Sequence, residues 1–449
     1  METKLNLSGC RLARTPFRRN GWLSLFFLVS ALFAALPVLA QESVVLVYTG
    51  NLDGELEPCG CSETGDMGGI KRQVAMIDQL RAAEPKLFLV SSGGLLSSSH
   101  AYERLTSEFI LKGVSALGYD ALGVQWSDLA YGEKFLAQTP LPWVASNWKA
   151  NDFQQQRVIE RGGQKLAVFS WLDPAAAPAV SVHMGGGLAS EDATALGEKL
   201  KNAKQTGMLT LLTTTLPFKR VQQQFSLTNV DVVLLQSVYE KYRDPMLLEG
   251  TLFLQPGSRG MRLGRVAMTL GADRKVESFS HDVITLPPSV PDAPRVQGWY
   301  DSYNVAVKAA YQESVAIRKA AQSGERRYLG VEACKTCHLA TYERWSQSRH
   351  AQAYDSLRRV NKAFDADCIG CHTVGFNRDG GFIDAEVTAS LANVQCESCH
   401  GAGRDHVSAQ GKKRSDNNGW EKAAICAQCH VAKHSPDFKL DAYWPKVAH

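Results

Sequence analysis

One five-residue frame occurs four times in the last third of this chain and constrains everything else about it. The copies are Cys334-Lys335-Thr336-Cys337-His338, Cys368-Ile369-Gly370-Cys371-His372, Cys396-Glu397-Ser398-Cys399-His400 and Cys426-Ala427-Gln428-Cys429-His430, and they absorb eight of the 11 cysteines. Two thiols three positions apart can each add to a porphyrin vinyl group, and the imidazole next in sequence reaches the iron. That chemistry is why Cys-x-x-Cys-His marks covalent haem c attachment. A chance match is expected on the order of 0.01 times in a chain of this composition, so four copies are not accidental. Zinc knuckles need no histidine directly after every second cysteine, and disulfides would not repeat the spacing. The frame calls for four haem c groups, with His338, His372, His400 and His430 as one axial ligand each.

The ligand on the other side of each iron decides between electron transfer and small-molecule chemistry. Four further histidines lie in this region: His350, His406, His434 and His449. Four irons and four spare histidines lead to the expectation of bis-histidine ligation throughout. No methionine follows Met268, so His/Met ligation from within this region is ruled out, and with it the higher potential that an axial methionine confers. Hydrophobic periodicity is weak here, since porphyrins can supply the apolar interior. Short helices are expected over residues 340–358 and after each frame.

Around these residues the chain resembles the cytochrome c-552/4 type tetrahaem family over roughly residues 328–449. The likeness rests on Trp345 and Ser348-Arg349-His350-Ala351 after the first frame, on Val394-Gln395 before the third, and on Gly401-Ala402-Gly403-Arg404-Asp405-His406 after it. His434-Ser435-Pro436-Asp437-Phe438 and Tyr443-Trp444-Pro445-Lys446-Val447-Ala448-His449 complete it. The resemblance implies haems close enough for electron hopping and distal ligands drawn from His350, His406, His434 and His449. It also implies that one haem of such proteins can be five-coordinate.

Thiols must meet haem outside the cytoplasm, and the N-terminus fits export. Lys4, Arg11, Arg14, Arg18 and Arg19 precede the apolar run 21–36, and Pro37-Val38-Leu39-Ala40 ends in the small residues that signal peptidase requires. Cleavage after Ala40 is expected, with an uncleaved anchor as the alternative; no later segment is apolar enough to span a membrane. These first 40 residues hold five of the 49 bases and one of the 45 acids, so the remainder is balanced and the formal charge of +4 disappears with the leader. A neutral body gives no electrostatic reason to bind nucleic acid.

At 449 residues the chain is too long for one ordinary core. Between residues 43 and 286, short β-rich runs (44–48, 87–90, 143–146, 166–170, 209–212, 232–235) alternate with helical patterns at 70–83 and 193–204, and hairpin-like strands run over 251–270. The segment Asn51-Leu52-Asp53-Gly54-Glu55-Leu56-Glu57-Pro58, Gly68-Gly69-Ile70-Lys71-Arg72, Gly118-Tyr119-Asp120-Ala121 and Gly257-Ser258-Arg259-Gly260-Met261-Arg262-Leu263-Gly264 resemble the 5'-nucleotidases, calcineurin-like metallophosphatases. That family holds two metals on Asp, Asn and His ligands. Here the Asp-x-His element reads Asn51-Leu52-Asp53, Gly-Asp reads Gly93-Gly94, Gly-Asn-His-Glu reads Gln125-Trp126-Ser127-Asp128, and Gly-His-x-His reads Gln236-Ser237-Val238-Tyr239. A dimetal centre is not expected, nor is phosphohydrolase activity. Cys59-Gly60-Cys61 stands at what would be the catalytic edge, either as a tight, labile disulfide or redox pair or as a loop staple. His100, His183 and His281 are scattered.

The expected architecture is an α/β metallophosphatase-like sandwich followed by a mainly α, haem-packed multihaem cytochrome c domain. The signal peptide occupies 1–40, the degenerate 5'-nucleotidase-like domain 41–286, a Pro-rich linker and helix 287–327, and the tetrahaem domain 328–449. Its expected function is electron transfer outside the cytoplasm, with redox proteins in the periplasm or at the membrane surface as partners. The alternatives are a reductase or oxidase with one open haem, acting on a small nitrogen or sulfur compound, and a thiol-redox protein using Cys59 and Cys61.

Overall fold

A computed structural model describes residues 43–59, 66–97, 103–149, 153–178, 189–190, 192–236, 243–417, 419–431, 434–435 and 437–449. The expected leader lies outside these residues, as do His100, His183, Cys61, Ser237 to Tyr239, and the side chain of Cys59.

Strict alternation in the strands sets the layers. The strands are β1 (Ser43–Thr49), β2 (Pro58–Cys59), β3 (Met67–Gly68), β4 (Phe88–Ser91), β5 (Ala121–Gly123), β6 (Trp143–Val144), β7 (Arg157–Arg161), β8 (Gln164–Trp171), β9 (Leu209–Thr214), β10 (Val232–Leu235), β11 (Arg243–Leu248), β12 (Thr251–Gln255), β13 (Arg262–Leu270) and β14 (Val276–Thr285). They form two six-stranded mixed sheets, ordered β14-β13-β1-β4-β5-β6 and β11-β12-β10-β9-β8-β7. Successive side chains of a strand point to opposite faces. Val44, Leu46 and Tyr48 of β1 and Phe88 and Val90 of β4 therefore share one buried cluster with Leu166, Val168, Leu209, Leu211, Val232 and Leu234 of the other sheet. Each such side chain contributes roughly 1.5–3 kcal/mol when fully buried, so this shared core holds the sheets together without help from a metal.

The opposite faces take the helices. Val47, Leu89 and Leu122 pack under the helices Ile70–Ala83 and Glu103–Ser115 through Ile70, Val74, Ile77, Ile110 and Val114. Phe169, Trp171, Leu212 and Val233 pack under Thr194–Gln205 and Phe218–Gln224. The result is a four-layer α/β/β/α sandwich, the class expected from the sequence. Observed strands match the expected runs to within a few residues, and the Ile70–Ala83 helix matches its expected bounds. Strands β2, β3, β5, β7, β11 and β14 lie outside the expected set.

The proline-rich connector is packed rather than free. Lys71 Nζ pairs with Asp292 at 2.6 Å, Arg295 Nε with Asp78 at 2.8 Å, and Leu286, Ala293 and Val296 join the core beneath the first sheet. The helix Gln297–Ala321 that follows buries Tyr303 and Val307 in that core and Tyr311 in a smaller cluster with Tyr328, Tyr354, Ile369, Val374 and Phe382. One helix is thereby seated in both the α/β core and the core of the frame-bearing region. Beyond it lie short helices and turns. Residues 340–358, where short helices are expected, hold Leu339–Ser346, a 3-10 turn at Arg349–Gln352 and Ala353–Arg359. The helices Val331–Lys335, Ala366–His372, Cys396–His400 and Lys422–Cys426 run into or through the frames rather than only after them.

Candidate functional site

The first and third frames are tied together by two side chains from the third. Gln395 Oε1 accepts the backbone N–H of Val331 at 2.6 Å. The buried carboxylate of Glu397 accepts from Leu329 at 3.0 Å, Gly330 at 2.8 Å and Gly403 at 2.7 Å. These bonds satisfy the amide donors that a helix start leaves open, here at the start of Val331–Lys335. The resemblance marked the Gln395-to-His400 stretch without assigning Gln395 or Glu397 this work. Thiols of different frames also meet. The Cys334 thiol beside Cys396 holds the latter down to about 7, and Cys429 does the same to Cys371. Burial pushes Cys399 up to about 11, with Cys426 and Cys396 adding to the effect. None of the eight frame cysteines is in a disulfide.

The histidines assemble in pairs from distant parts of the chain. Ring centres of His338 and His406 are 6.2 Å apart, those of His350 and His430 6.3 Å, and those of His400 and His449 5.7 Å. Two imidazoles facing one first-row metal ion, each nitrogen about 2.0–2.1 Å from it, have ring centres about 6 Å apart. Each pair thus joins a frame histidine to one of the spare histidines at the span an iron requires.

Hydrogen bonds also fix the outward nitrogen. His372 Nδ1–H donates to Ala353 O at 2.6 Å, His406 Nδ1–H to Lys413 O at 2.7 Å and His449 Nδ1–H to Val447 O at 3.0 Å. His430 Nδ1 meets Ser435 Oγ at 3.0 Å. With Nδ1 engaged, the Nε2 lone pair is left for a metal, the tautomer that a metal-binding histidine needs. These residues therefore fit haem c: paired thiols, imidazoles at the right span, and little competing side-chain core.

His372 differs from the other three frame histidines. Among the described residues its ring meets no histidine ring. His434 sits in a turn where its backbone N–H donates to Val431 O at 3.0 Å.

At the other end of the chain, the expected catalytic edge of the sandwich is closed by amides. Gln125 Nε2 donates to Asn51 Oδ1 at 2.8 Å and to Ser92 O at 3.1 Å. Asn51 Nδ2 donates to Asp53 at 3.1 Å. Asp128, fully buried, accepts from the backbone N–H groups of Gly94, Leu95, Leu96 and Gln125. Gly93 and Gly94 have φ of 85° and 74°, and a Cβ on Gly94 would stand 2.5 Å from Asn51 Cγ. Burial raises Asp53, and the buried Arg259 lies close enough to it and to Glu55 to feel both charges. Among the described residues, no three His, Cys, Asp or Glu side chains are grouped to hold a metal.

Sequence reasoning missed a junction between the two halves. Glu57, just before β2, accepts the Tyr300 hydroxyl and pairs with Lys362 Nζ at 2.6 Å. Lys362 also donates to Asn304 Oδ1 at 3.2 Å. Three residues on, Asp365 caps the helix carrying the second frame, accepting from Asp367 N at 3.1 Å.

Residues 333–401 match the profile of the family described as cytochrome c554 and c-prime. Cytochrome c-554 of Nitrosomonas europaea is 32% identical over 130 residues, which span 25% of this chain and 54% of that relative. The chain thus spans about half the length of this curated protein. Among solved structures, a 5'-nucleotidase precursor from Thermus thermophilus covers 60% of this chain and 59% of its own, with a TM-score of 0.51 at 15% identity. The sulfate thiohydrolase SoxB, also of Thermus thermophilus, covers 60% and 61%, with a TM-score of 0.49 at 16% identity. The N-terminal body accordingly has the 5'-nucleotidase fold, and the C-terminal region is similar to c-type cytochromes of the c554 type.

Proposed function

We propose that this chain is an exported electron carrier with four covalent haems, attached at Cys334/Cys337, Cys368/Cys371, Cys396/Cys399 and Cys426/Cys429. The three imidazole pairs carry this reading: His338 with His406, His400 with His449, and His430 with His350. Iron held by two histidines has no open position, so such centres pass electrons and bind no substrate. Haem supplies the redox chemistry; the chain's part is to anchor it by thioethers, fix the axial imidazoles and bring the frames together. Hydrogen-bonded thiols at Cys334/Cys396 and Cys371/Cys429, with Cys399 close enough to Cys426 to feel its charge, support the frame order one, three, four, two for electron hopping.

The leader cleaved after Ala40 places the mature protein in the periplasm, where its redox partners are proteins in solution or at the membrane surface. Among the described residues no helix is long and apolar enough to cross a membrane. The α/β body, with its metal ligands replaced, acts as a docking and scaffold module rather than a phosphohydrolase. Domain bounds at 286 and 328 belong to this reading, with the helix Gln297–Ala321 shared between the two cores.

A second reading rests on His372. With no histidine ring opposite it among the described residues, an iron there is open to a small nitrogen or sulfur compound, and the chain is then a reductase or oxidase. The thiol-redox reading rests on Cys59 and Cys61, whose side chains lie outside the described residues. Mass spectrometry of the exported protein, with low-temperature EPR, tests both main readings. Four haems with only low-spin signals support the carrier; four with one high-spin signal support the open site; fewer than four overturn the assignment.

A further inference from the structure

The ion pair at the junction leads from the α/β body to the helix that holds the second haem-attachment frame. Glu57 belongs to the acidic loop at the closed edge of the sandwich. Its carboxylate is bound by the Tyr300 hydroxyl and by Lys362, whose side chain is only 15% exposed. Lys362 Nζ lies 5.8 Å from the Tyr300 ring centre, 5.7 Å from Tyr303 and 5.9 Å from Phe364, so aromatic rings line its side of the pair. Lys362 O in turn accepts the backbone N–H of Asp365 at 3.0 Å, and Asp365 O accepts from Cys368 N at 3.1 Å and Ile369 N at 2.9 Å. The Glu57–Lys362 side-chain pair thus leads from one half of the molecule to Lys362, whose backbone carbonyl holds Asp365 at the first turn of the frame-bearing helix.

We propose that Asp365 is a redox-linked proton acceptor for the haem attached at Cys368 and Cys371, and that Glu57 of the α/β body tunes it through Lys362. This rests on the haem assignment made above. Asp365 would take one proton from water onto its carboxylate when the haem attached at Cys368 and Cys371 takes one electron from an external reductant. The proton balances the charge that the electron brings. The groups facing Asp365 are Lys362, Asp367, Glu57 and the Tyr303 phenol. Burial raises Asp365 to about 6; Lys362 opposes the rise, while Asp367 and Glu57 add to it. A proton site near that value changes occupancy close to neutral pH, and it does so under the influence of a residue from the other half of the chain.

The test is a potentiometric titration of the full-length holoprotein across pH 5 to 8, resolved by haem through EPR, with haem content measured first. For one of the four haems, the potential falls as pH rises, by up to about 59 mV for each tenfold change in proton activity in a one-electron couple. Asp365→Asn keeps the helix cap, since Asn caps as well as Asp, and abolishes that slope while raising the potential of this haem at pH 8. Glu57→Gln removes a neighbouring anion and leaves Lys362 without its counter-charge, so the sloping window moves to lower pH. A slope unchanged in Asp365→Asn overturns the inference while the four-haem assignment stands. A chain that binds fewer than four haems overturns both.

Discussion

His449 faces His400 with ring centres 5.7 Å apart, and the segment that places it there is anchored to a different frame, by the Arg344 guanidinium donating to Ala448 O. On the proposed haem assignment, a ligand delivered from so far along the chain can be removed without touching the covalent attachment of the haem it serves.

Replacing His449, His406 or His350 with Ala is therefore expected to leave four haems bound and to open one iron each. EPR should show a high-spin signal for one quarter of the haem, and carbon monoxide should bind where it did not before. The opened haem's potential should rise as a strong donor is lost. An unchanged spectrum in any of the three variants would refute that residue as a ligand.

His434→Ala discriminates between the two readings of the fourth iron. If His434 closes the iron at His372, the variant gains a high-spin signal. If that iron is open in the native protein, the high-spin signal precedes the substitution and His434→Ala leaves it unaltered.

The closed edge of the sandwich predicts that manganese or zinc will elicit no turnover of nucleotides or model phosphate esters. Asn51 and Gln125 are engaged with each other, and Asp128 is spent on four backbone donors. A metal-dependent rate that disappears in Asp53→Ala would contradict this.

Glu397→Ala removes the acceptor for three backbone N–H groups. A buried unsatisfied donor costs about 1–3 kcal/mol, so a loss of at least about 3 kcal/mol is expected, read as a lower denaturation midpoint at unchanged slope. Glu397→Gln retains one acceptor oxygen and should lose less. Equal loss in both variants would show that the charge, rather than the acceptor count, holds the two frames together.

Much of this was legible in the sequence, and what was not has a common cause. The central strand β10 and the run 87–90 that forms most of β4 are continuous apolar stretches and announce themselves. Three of the strands outside the expected set, β7, β11 and β14, lie at sheet edges. Edge strands carry charge and proline to block further pairing. Arg157-Val158-Ile159-Glu160-Arg161 and Arg243-Asp244-Pro245 accordingly read as loops. Strand β5 has only three residues, too few for a period. The Cys-x-x-Cys-His frames were legible because attachment chemistry is local. Which spare histidine meets which frame was not, since pairing across the chain leaves no mark on spacing. The Glu57–Lys362 junction was hidden for the same reason.

Gly94 gives the closed edge a direction in time. To regain a metal-binding Asp there, the chain would have to accept a side chain at φ 74° whose Cβ collides with Asn51, while Asn51 is itself clasped by Gln125. No single substitution reopens the site, because each position blocks the return of the next. A metal site at this edge would need Gly94, Asn51 and Gln125 to change together.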